Sequence, residues 1–215
     1  MSKTTHIVLG APVQNSVFPD PEPQDNIIGV DKGALLCLEK GISLTTAVGD
    51  FDSITFNQKA RLKSITKDIR EFDSKKDETD AEIALKIAVT DRDVESVVIY
   101  NWTGGRIDHM LSVLYMVYQP KFLKAIDRIS LINETNTIRF YKPGDYTLLK
   151  ELGKEYLSFI GMTSLSKLTL KGVKYPIENV SYTYPRALIS NEFSEKQCQI
   201  CFNEGLLAVI QSSDK

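Results

Sequence analysis

The stretch "TDAEIALKIAVTDR", residues 79–92, with the run "SVVIY", residues 96–100, decides the fold class of the first part of the chain. Its apolar residues recur at the spacing of one face of an α-helix, and these are Ala81, Ala84, Leu85 and Ala88. The second run is short, apolar and β-branched, as strands are. A helix followed directly by such a strand indicates a parallel sheet covered by helices.

The same alternation of strand and helix extends through the first 133 residues. The predicted strands are "THIVLG" (5–10), "NIIGV" (26–30), "TTAVG" (45–49) and "DIREF" (68–72), with "SVVIY" as the fifth. Two further helices are predicted at "KGALLCLEKG" (32–41) and "DHMLSVLYMVY" (108–118). We therefore predict an α/β domain over residues 1–133, with a mostly parallel sheet flanked by helices.

After about Ile132 the pattern changes to short alternating runs. They are "TIRFYKPGDYTLLK", "EYLSFIGM", "SKLTLKGVKYPI", "VSYTYP", "QCQICF" and "GLLAVIQSS". Such runs, with turn signals such as Pro143-Gly144 between them, are typical of a small antiparallel sandwich or barrel. We predict an all-β sandwich domain over residues 134–215.

Composition excludes several classes of protein. Of the 215 residues 42% are hydrophobic, which is too many for a disordered chain. The formal charge of -2 gives no general surface for nucleic acid. No apolar run is long enough to span a bilayer, so no membrane partner is expected, and the first residues do not read as a secretory signal. We expect a cytoplasmic protein.

The cysteines do not predict a disulfide framework or a zinc site. Cys198 and Cys201 form a C-x-x-C, but the histidines, His6 and His109, are far away in the sequence. The alternation in "KQCQICF" would turn the two sulfurs to opposite faces of a strand. We interpret the pair as strand packing.

Carboxylates follow three of the predicted strands. Asp31 follows "NIIGV", Asp50 and Asp52 follow "TTAVG", and Asp77 and Asp80 follow "DIREF". In a parallel sheet these strand ends share one edge, where ligands gather. Carboxylates crowded at one edge need neutralising cations, and Mg²⁺ with a polyphosphate fits. Each acid also has an ordinary explanation as a turn former or helix cap, and Thr79 competes with Asp80 for the cap.

The stretch "TGGRIDHM" follows the fifth predicted strand. Gly104 and Gly105 allow backbone N–H groups to approach a phosphate at a helix start, and Arg106 adds a guanidinium that matches phosphate oxygens. Asp108 and His109 come next, although Asp108 is equally well explained as a helix cap. The sequence has no P-loop motif.

These motifs resemble those of the bacterial thiamine pyrophosphokinase family. The stretches are "IIGVDKGALLCLEKGI", "AVGDFDSI", "KKDETDAEIAL" and "TGGRIDHML", and residues 168–210 resemble the C-terminal domain of that family. The resemblance implies transfer of the β,γ-pyrophosphoryl group of ATP to the hydroxyl of thiamine, with release of AMP. It also implies a homodimer with the thiamine site between subunits.

The resemblance also assigns roles to residues. It implies Asp50, Asp52, Asp77 and Asp80 as catalytic residues, the first three as Mg²⁺ ligands. We assign ATP binding to Asp31, Lys76, Gly104, Gly105, Arg106, Asp108 and His109, of which Asp31, Arg106, Asp108 and His109 match the family motifs by position. Thiamine would be bound by Asp80, Ser190 and Asn191.

The chain departs from the family pattern at two places. Gly10-Ala11-Pro12 stands where a glycine pair is frequent, and "YNWTGG" precedes the arginine where small residues are usual. We expect Trp102 to pack rather than to bind, and the same holds for most of Tyr175, Tyr182 and Tyr184.

Three other functions stay open at this point. One is a pyrophosphokinase acting on another heterocyclic alcohol, such as a pterin, which the C-terminal resemblance disfavours. A second is a phosphatase with a D-x-D nucleophile, although such enzymes usually carry the pair after their first strand. The third is a non-catalytic sensor of thiamine or nucleotide, for which an intact acidic cluster is not needed.

Overall fold

The computed structural model describes residues 2–12, 16–52, 54–73 and 77–214. The chain divides into two compact units, Met1–Glu134 and Thr135–Lys215. Within the described ranges, no helix is both long and apolar enough to cross a membrane.

A parallel sheet forms the centre of the first unit. Its described strands are β1 Lys3–Val8, β2 Asn26–Val30, β3 Leu44–Gly49, β4 Thr66–Glu71, β5 Val94–Tyr100 and β6 Ile129–Ile132. They lie in the order β4-β3-β2-β1-β5-β6, and every adjacent pair is parallel. From β1 the chain adds β2, β3 and β4 on one side of that strand, and it then adds β5 and β6 on the other side. The loops after β1 and β5 therefore diverge, which opens a crevice at that point.

Helices follow four of these strands. They are α1 Lys32–Glu39, α2 Phe56–Ile65, α3 Asp80–Thr90 and α4 Ile107–Met116, with a 3₁₀ helix at Leu123–Arg128. The prediction of a mostly parallel sheet with flanking helices is confirmed. The sequence did not predict α2, which buries only Leu62 and is started by a capping box of Thr55 and Gln58.

A buried polar network ties the middle of this sheet together. His6 Nδ1 lies 3.2 Å from Tyr100 Oη, and His6 Nε2 lies 3.2 Å from Asp25 Oδ2. Burial favours a higher pKa for Asp25, but hydrogen bonds from the N–H groups of Thr4 and Glu22 and from His6 outweigh it and lower that pKa. Burial, with a smaller effect of Asp25, raises the pKa of Tyr100 to about 12. The network holds β5 to β1 directly below the end of β5.

The second unit contains only antiparallel pairs among its described strands. They are β7 Asn136–Tyr141, β8 Gly144–Leu149, β9 Tyr156–Gly161, β10 Leu165–Lys171, β11 Ile177–Tyr182, β12 Arg186–Asn191, β13 Gln197–Phe202 and β14 Leu207–Ser212. The order is β12-β9-β14-β7 in one layer and β11-β10-β13-β8 in the other. One core joins both layers, with Phe159 and Val209 from the first and Leu168 and Ile200 from the second. This is the predicted sandwich rather than a barrel.

The C-x-x-C pair lies within β13. Cys198 is completely buried in the core of the sandwich, and burial raises its pKa to about 11. Cys201 is only half-buried, as expected for the opposite face. Both thiols are free, in agreement with strand packing.

Candidate active site

The carboxyl ends of the parallel strands surround a cavity of about 770 Å³. It lies at the crevice between the loops after β1 and β5, and its described lining residues all belong to the first unit. Nine of the residues proposed from the sequence line it: Asp31, Asp50, Asp52, Asp77, Asp80, Gly104, Gly105, Arg106 and His109. Asp108 is not among the lining residues, and Lys76 lies outside the described residues. The strand-end motifs, distant in sequence, thus share one cavity.

Asp31 occupies the N-cap position of α1 without acting as a cap. Its side chain makes no capping hydrogen bond, and its backbone has a left-handed φ of 46°. A Cβ atom built on Gly49 would lie 1.9 Å from Asp31 Oδ1, so the carboxylate packs against the bare backbone at the end of β3. The capping explanation does not hold for this side chain, and Gly49 is required by the close approach.

The acidic turn after β3 is held by one buried aromatic residue. Phe51 is 4% exposed and has a left-handed φ of 53°. Asp50 and Asp52 flank it, and the N–H of Asp52 donates to Asp50 Oδ1 at 3.2 Å. The stretch is therefore both a turn and a pair of carboxylates at the cavity.

The start of α3 shows which of its polar residues is structural. Thr79 is the N-cap, and its hydroxyl accepts from the N–H of Glu82 while the Glu82 side chain accepts from the N–H of Thr79. Asp80 therefore does not cap the helix, and it lines the cavity. Glu78, which the sequence analysis missed, receives hydrogen bonds from Lys121 and Lys86 that lower its pKa.

The glycine pair has the geometry that its motif requires. Gly104 and Gly105 have left-handed φ values of 95° and 85°, which other residues rarely adopt. A Cβ on Gly105 would also meet the ring of Pro12 at 2.8 Å. Arg106 donates from Nε and Nη2 to both oxygens of Asp108, which lowers the pKa of that carboxyl. Asp108 pairs with the arginine rather than capping α4.

The donor set of the cavity fits a hard divalent cation. Of the residues that the structure describes, six carboxylates line it (Asp31, Asp50, Asp52, Asp77, Glu78 and Asp80), together with the basic side chains of Lys32 and Arg106. Among the described residues, no three acidic, histidine or cysteine side chains are grouped closely enough to hold a metal alone. Mg²⁺ commonly takes one or two carboxylates and completes its shell with waters and substrate phosphates. The arrangement suits a metal that arrives with a polyphosphate.

In the second unit the two predicted substrate-binding residues end β12. The Asn191 amide is 5% exposed; its oxygen accepts from the N–H groups of Tyr175 and Glu192, and its nitrogen donates to the Tyr175 carbonyl. Ser190 is exposed, with a left-handed φ of 57°. Asn191 therefore fixes the chain near Tyr175, while Ser190 is presented to solvent.

Comparison with known proteins decides the family. Residues 22–127 match the family model "Thiamin pyrophosphokinase, catalytic domain", and residues 136–207 match "Thiamin pyrophosphokinase, vitamin B1 binding domain". A thiamine pyrophosphokinase of Bacillus subtilis is 36% identical, over 99% of this chain and 100% of that protein. The chain belongs to the thiamine pyrophosphokinase family.

Solved structures agree with this membership. A thiamin pyrophosphokinase family protein from Enterococcus faecalis is 35% identical with a TM-score of 0.93, and each chain is covered completely. The Bacillus subtilis thiamine pyrophosphokinase structure is 34% identical with a TM-score of 0.87, over 99% of this chain and 100% of that one. As a thiamine pyrophosphokinase, the protein transfers pyrophosphate from ATP to thiamine, giving thiamine diphosphate and AMP.

The structure adds residues that sequence reasoning did not place in the site. Lys32, Asn101 and Trp102 line the same cavity, as do Gly10 and Pro12 of the departing loop. Trp102 is 6% exposed, so it is packed as expected and faces the cavity as well. Position was the available signal for two of them, because Lys32 directly follows the strand-end acid Asp31 and Asn101 directly follows β5.

Proposed function

We propose that residues 1–133 form the ATP- and Mg²⁺-binding catalytic domain of this thiamine pyrophosphokinase, and residues 134–215 its thiamine-binding domain. The observation that carries the proposal is the cavity in which carboxylates from three strand ends face a Gly-Gly-Arg loop. Pyrophosphoryl transfer depends on charge neutralisation and on an aligned alcohol more than on covalent chemistry. The cavity supplies groups for both.

Asp50, Asp52 and Asp77 would hold the Mg²⁺ ion, directly or through water. Bound there, the ion would offset the negative charge that these carboxylates and a polyphosphate bring together. They lie on two loops, Asp50 and Asp52 after β3 and Asp77 after β4, which fits a metal whose shell is completed by ATP.

The remaining site residues act on the substrates. Asp80, freed from capping by Thr79, orients the thiamine hydroxyl or takes its proton. Gly104, Gly105, Arg106 and His109 contact the phosphates and the AMP leaving group. Asp108 orients the guanidinium of Arg106. Asp31 lies beside the nucleotide, and Lys76 is the remaining ATP-binding residue of the proposal.

A single incubation tests the reaction. Purified protein with ATP, Mg²⁺ and thiamine is expected to yield AMP and thiamine diphosphate in equal amounts, and neither product after Mg²⁺ is removed by chelation. Chromatography resolves both products. ADP with thiamine monophosphate would overturn pyrophosphoryl transfer, and product formation independent of divalent cation would overturn the metal assignment.

We also propose a homodimer with the thiamine site between subunits, to which Ser190 and Asn191 of the β-domain contribute. Exposed apolar side chains support it in both units. Along α4 they form one face at a spacing of four residues, namely Ile107, Leu111 and Tyr115. In the second unit Tyr175, Tyr184 and Ile189 are exposed. Such faces commonly mark an interface.

The dimer is testable on the α4 face. The double variant Leu111→Lys, Tyr115→Lys is expected to shift the protein from dimer to monomer and to weaken thiamine turnover, as read by sedimentation velocity and product formation. Phe56→Lys is the matched control, because Phe56 is 86% exposed on α2 and belongs to no such face. A wild-type protein that sediments as a monomer would contradict the dimer.

A cytoplasmic location completes the proposal. ATP is the co-substrate, and the three cysteines are free thiols, a state that a reducing compartment preserves.

A further inference from the structure

Two neighbouring side chains at the end of β5 carry buried N–H donors without an acceptor among the described residues. They are Asn101 Nδ2 and Trp102 Nε1. Asn101 is 1% exposed and Trp102 is 6% exposed, and both line the cavity. Buried donors are almost always hydrogen-bonded in folded proteins, so two adjacent exceptions at a ligand cavity call for a partner that the chain does not supply.

The orientation of the Asn101 side-chain amide is fixed by the hydrogen bond that its oxygen accepts. Its Oδ1 accepts a hydrogen bond from the N–H of Val17 at 3.1 Å, so the amide nitrogen must occupy the opposite position. Its backbone carbonyl accepts from the N–H of Ala11. The residue also has a left-handed φ of 54°, a conformation that non-glycine residues hold mainly where the surroundings impose it. Asn101 is therefore held in place while its Nδ2 donor has no acceptor among the described residues.

The missing partner must be an acceptor, and its surroundings indicate an anion. Both free groups are donors only, since the Asn101 oxygen is already used and an indole nitrogen cannot accept. The same loop continues to Gly104, Gly105 and Arg106, which offer backbone N–H groups and a positive charge to the same cavity.

The strand order confines the lining carboxylates to one side of the cavity. The carboxylates follow β2, β3 and β4, on one side of β1, whereas the donor loop follows β5, on the other side. The phosphates that need a cation therefore lie on the carboxylate side, next to the loops after β2, β3 and β4. A phosphate that is bound by neutral donors and an arginine lies next to the loop after β5.

We propose that Asn101 Nδ2 and Trp102 Nε1 donate hydrogen bonds to the α-phosphate oxygens of ATP, the phosphate that leaves with AMP. The assignment rests on the proposed nucleotide site in this cavity. It gives this chain two nucleotide-binding residues in addition to those that the motifs assign. The donors bind AMP and hold the leaving group in place during transfer.

Binding of AMP, compared with adenosine, tests the proposal by titration calorimetry. Asn101→Gly tolerates the left-handed backbone and removes the donor, and it is expected to weaken AMP binding about tenfold. Asn101→Asp keeps the acceptor for Val17 but places a carboxylate beside the phosphate, so its loss is expected to be larger. Adenosine affinity is expected to change by less than about twofold in both, since it lacks the phosphate.

Trp102→Phe is the matched test of the indole donor. It keeps an aromatic ring in the packing and removes the N–H, so AMP affinity is expected to fall about tenfold while the melting temperature changes little. Trp102 is the single tryptophan of the chain, so its fluorescence in the wild type and in the Asn101 variants reports AMP binding independently.

The outcomes separate this inference from the function on which it rests. AMP that binds the wild type and all three variants equally well overturns the inference and leaves the nucleotide site standing. Equal losses for AMP and adenosine also overturn it, because the donors would then serve the nucleoside or the fold. Failure of AMP to bind the wild type overturns the nucleotide site, and the inference with it.

Discussion

Asp52→Asn is expected to leave the fold intact and to lower kcat by about a hundredfold to a thousandfold, the effect of deleting one electrostatic contact made in the transition state. Asp52 is exposed at the cavity, and its hydrogen bond to Asp50 Oδ1 uses the backbone N–H, which asparagine retains. The turn should therefore persist while one negative ligand of the proposed Mg²⁺ site is lost. The measurement is initial rate against Mg²⁺ concentration at saturating ATP and thiamine.

Asp93→Asn is the matched control for that experiment. Asp93 is an exposed aspartate just before β5 begins at Val94, at the opposite end of the strand from the cavity. Its replacement removes the same charge from the chain but should leave kcat and the Mg²⁺ dependence unchanged. Native-like activity of Asp52→Asn at equal Mg²⁺ would take Asp52 out of the metal site.

Helices and strands were predictable from the sequence where a buried face requires apolar residues at a regular spacing. In α3 the buried residues are Ile83, Ala84, Leu85 and Ala88, and the last three lie on the face that the apolar spacing predicts. In α2 only Leu62 is buried, so no apolar repeat exists to be recognised. In β12 most side chains are exposed, and the alternation typical of a half-buried strand is missing.

The membership of the site was predictable from position, because parallel strands bring their carboxyl ends to one edge. The roles of individual groups were not. Whether Thr79 or Asp80 caps α3 depends on which side chain accepts the hydrogen bond at the helix start, and only the coordinates show this. The contact of Asp31 with Gly49 joins two loops that the sequence leaves unrelated.

Backbone strain marks the site independently of any motif. In the described part of the first unit, the non-glycine residues with left-handed φ are Asp31, Phe51 and Asn101. They follow β2, β3 and β5, and two of them line the cavity. Such conformations cost free energy and collect where function requires them. A sequence read without dihedral angles cannot reveal this signal, which is why Asn101 was missed.

Gly33→Ala is expected to lower the free energy of unfolding by about 3 kcal/mol, at the upper end of overpacking effects. A Cβ atom at Gly33 would lie 2.0 Å from the carbonyl oxygen of Val8, which is backbone. β1 cannot yield, because it is hydrogen-bonded to β2 on one side and to β5 on the other. The start of α1 must move instead, and with it Asp31 and Lys32, so thiamine diphosphate formation should fall as well.

Gly41→Ala separates this clash from the general cost of replacing a glycine. Gly41 follows the other end of α1 with a φ of 73°, and a Cβ there would meet nothing within 4 Å. Its replacement should cost only about 1 kcal/mol, for the left-handed backbone, and should leave turnover unchanged. Urea denaturation of both variants gives the comparison. Equal losses of stability would mean that the approach of α1 to β1 does not position the acidic edge of the cavity.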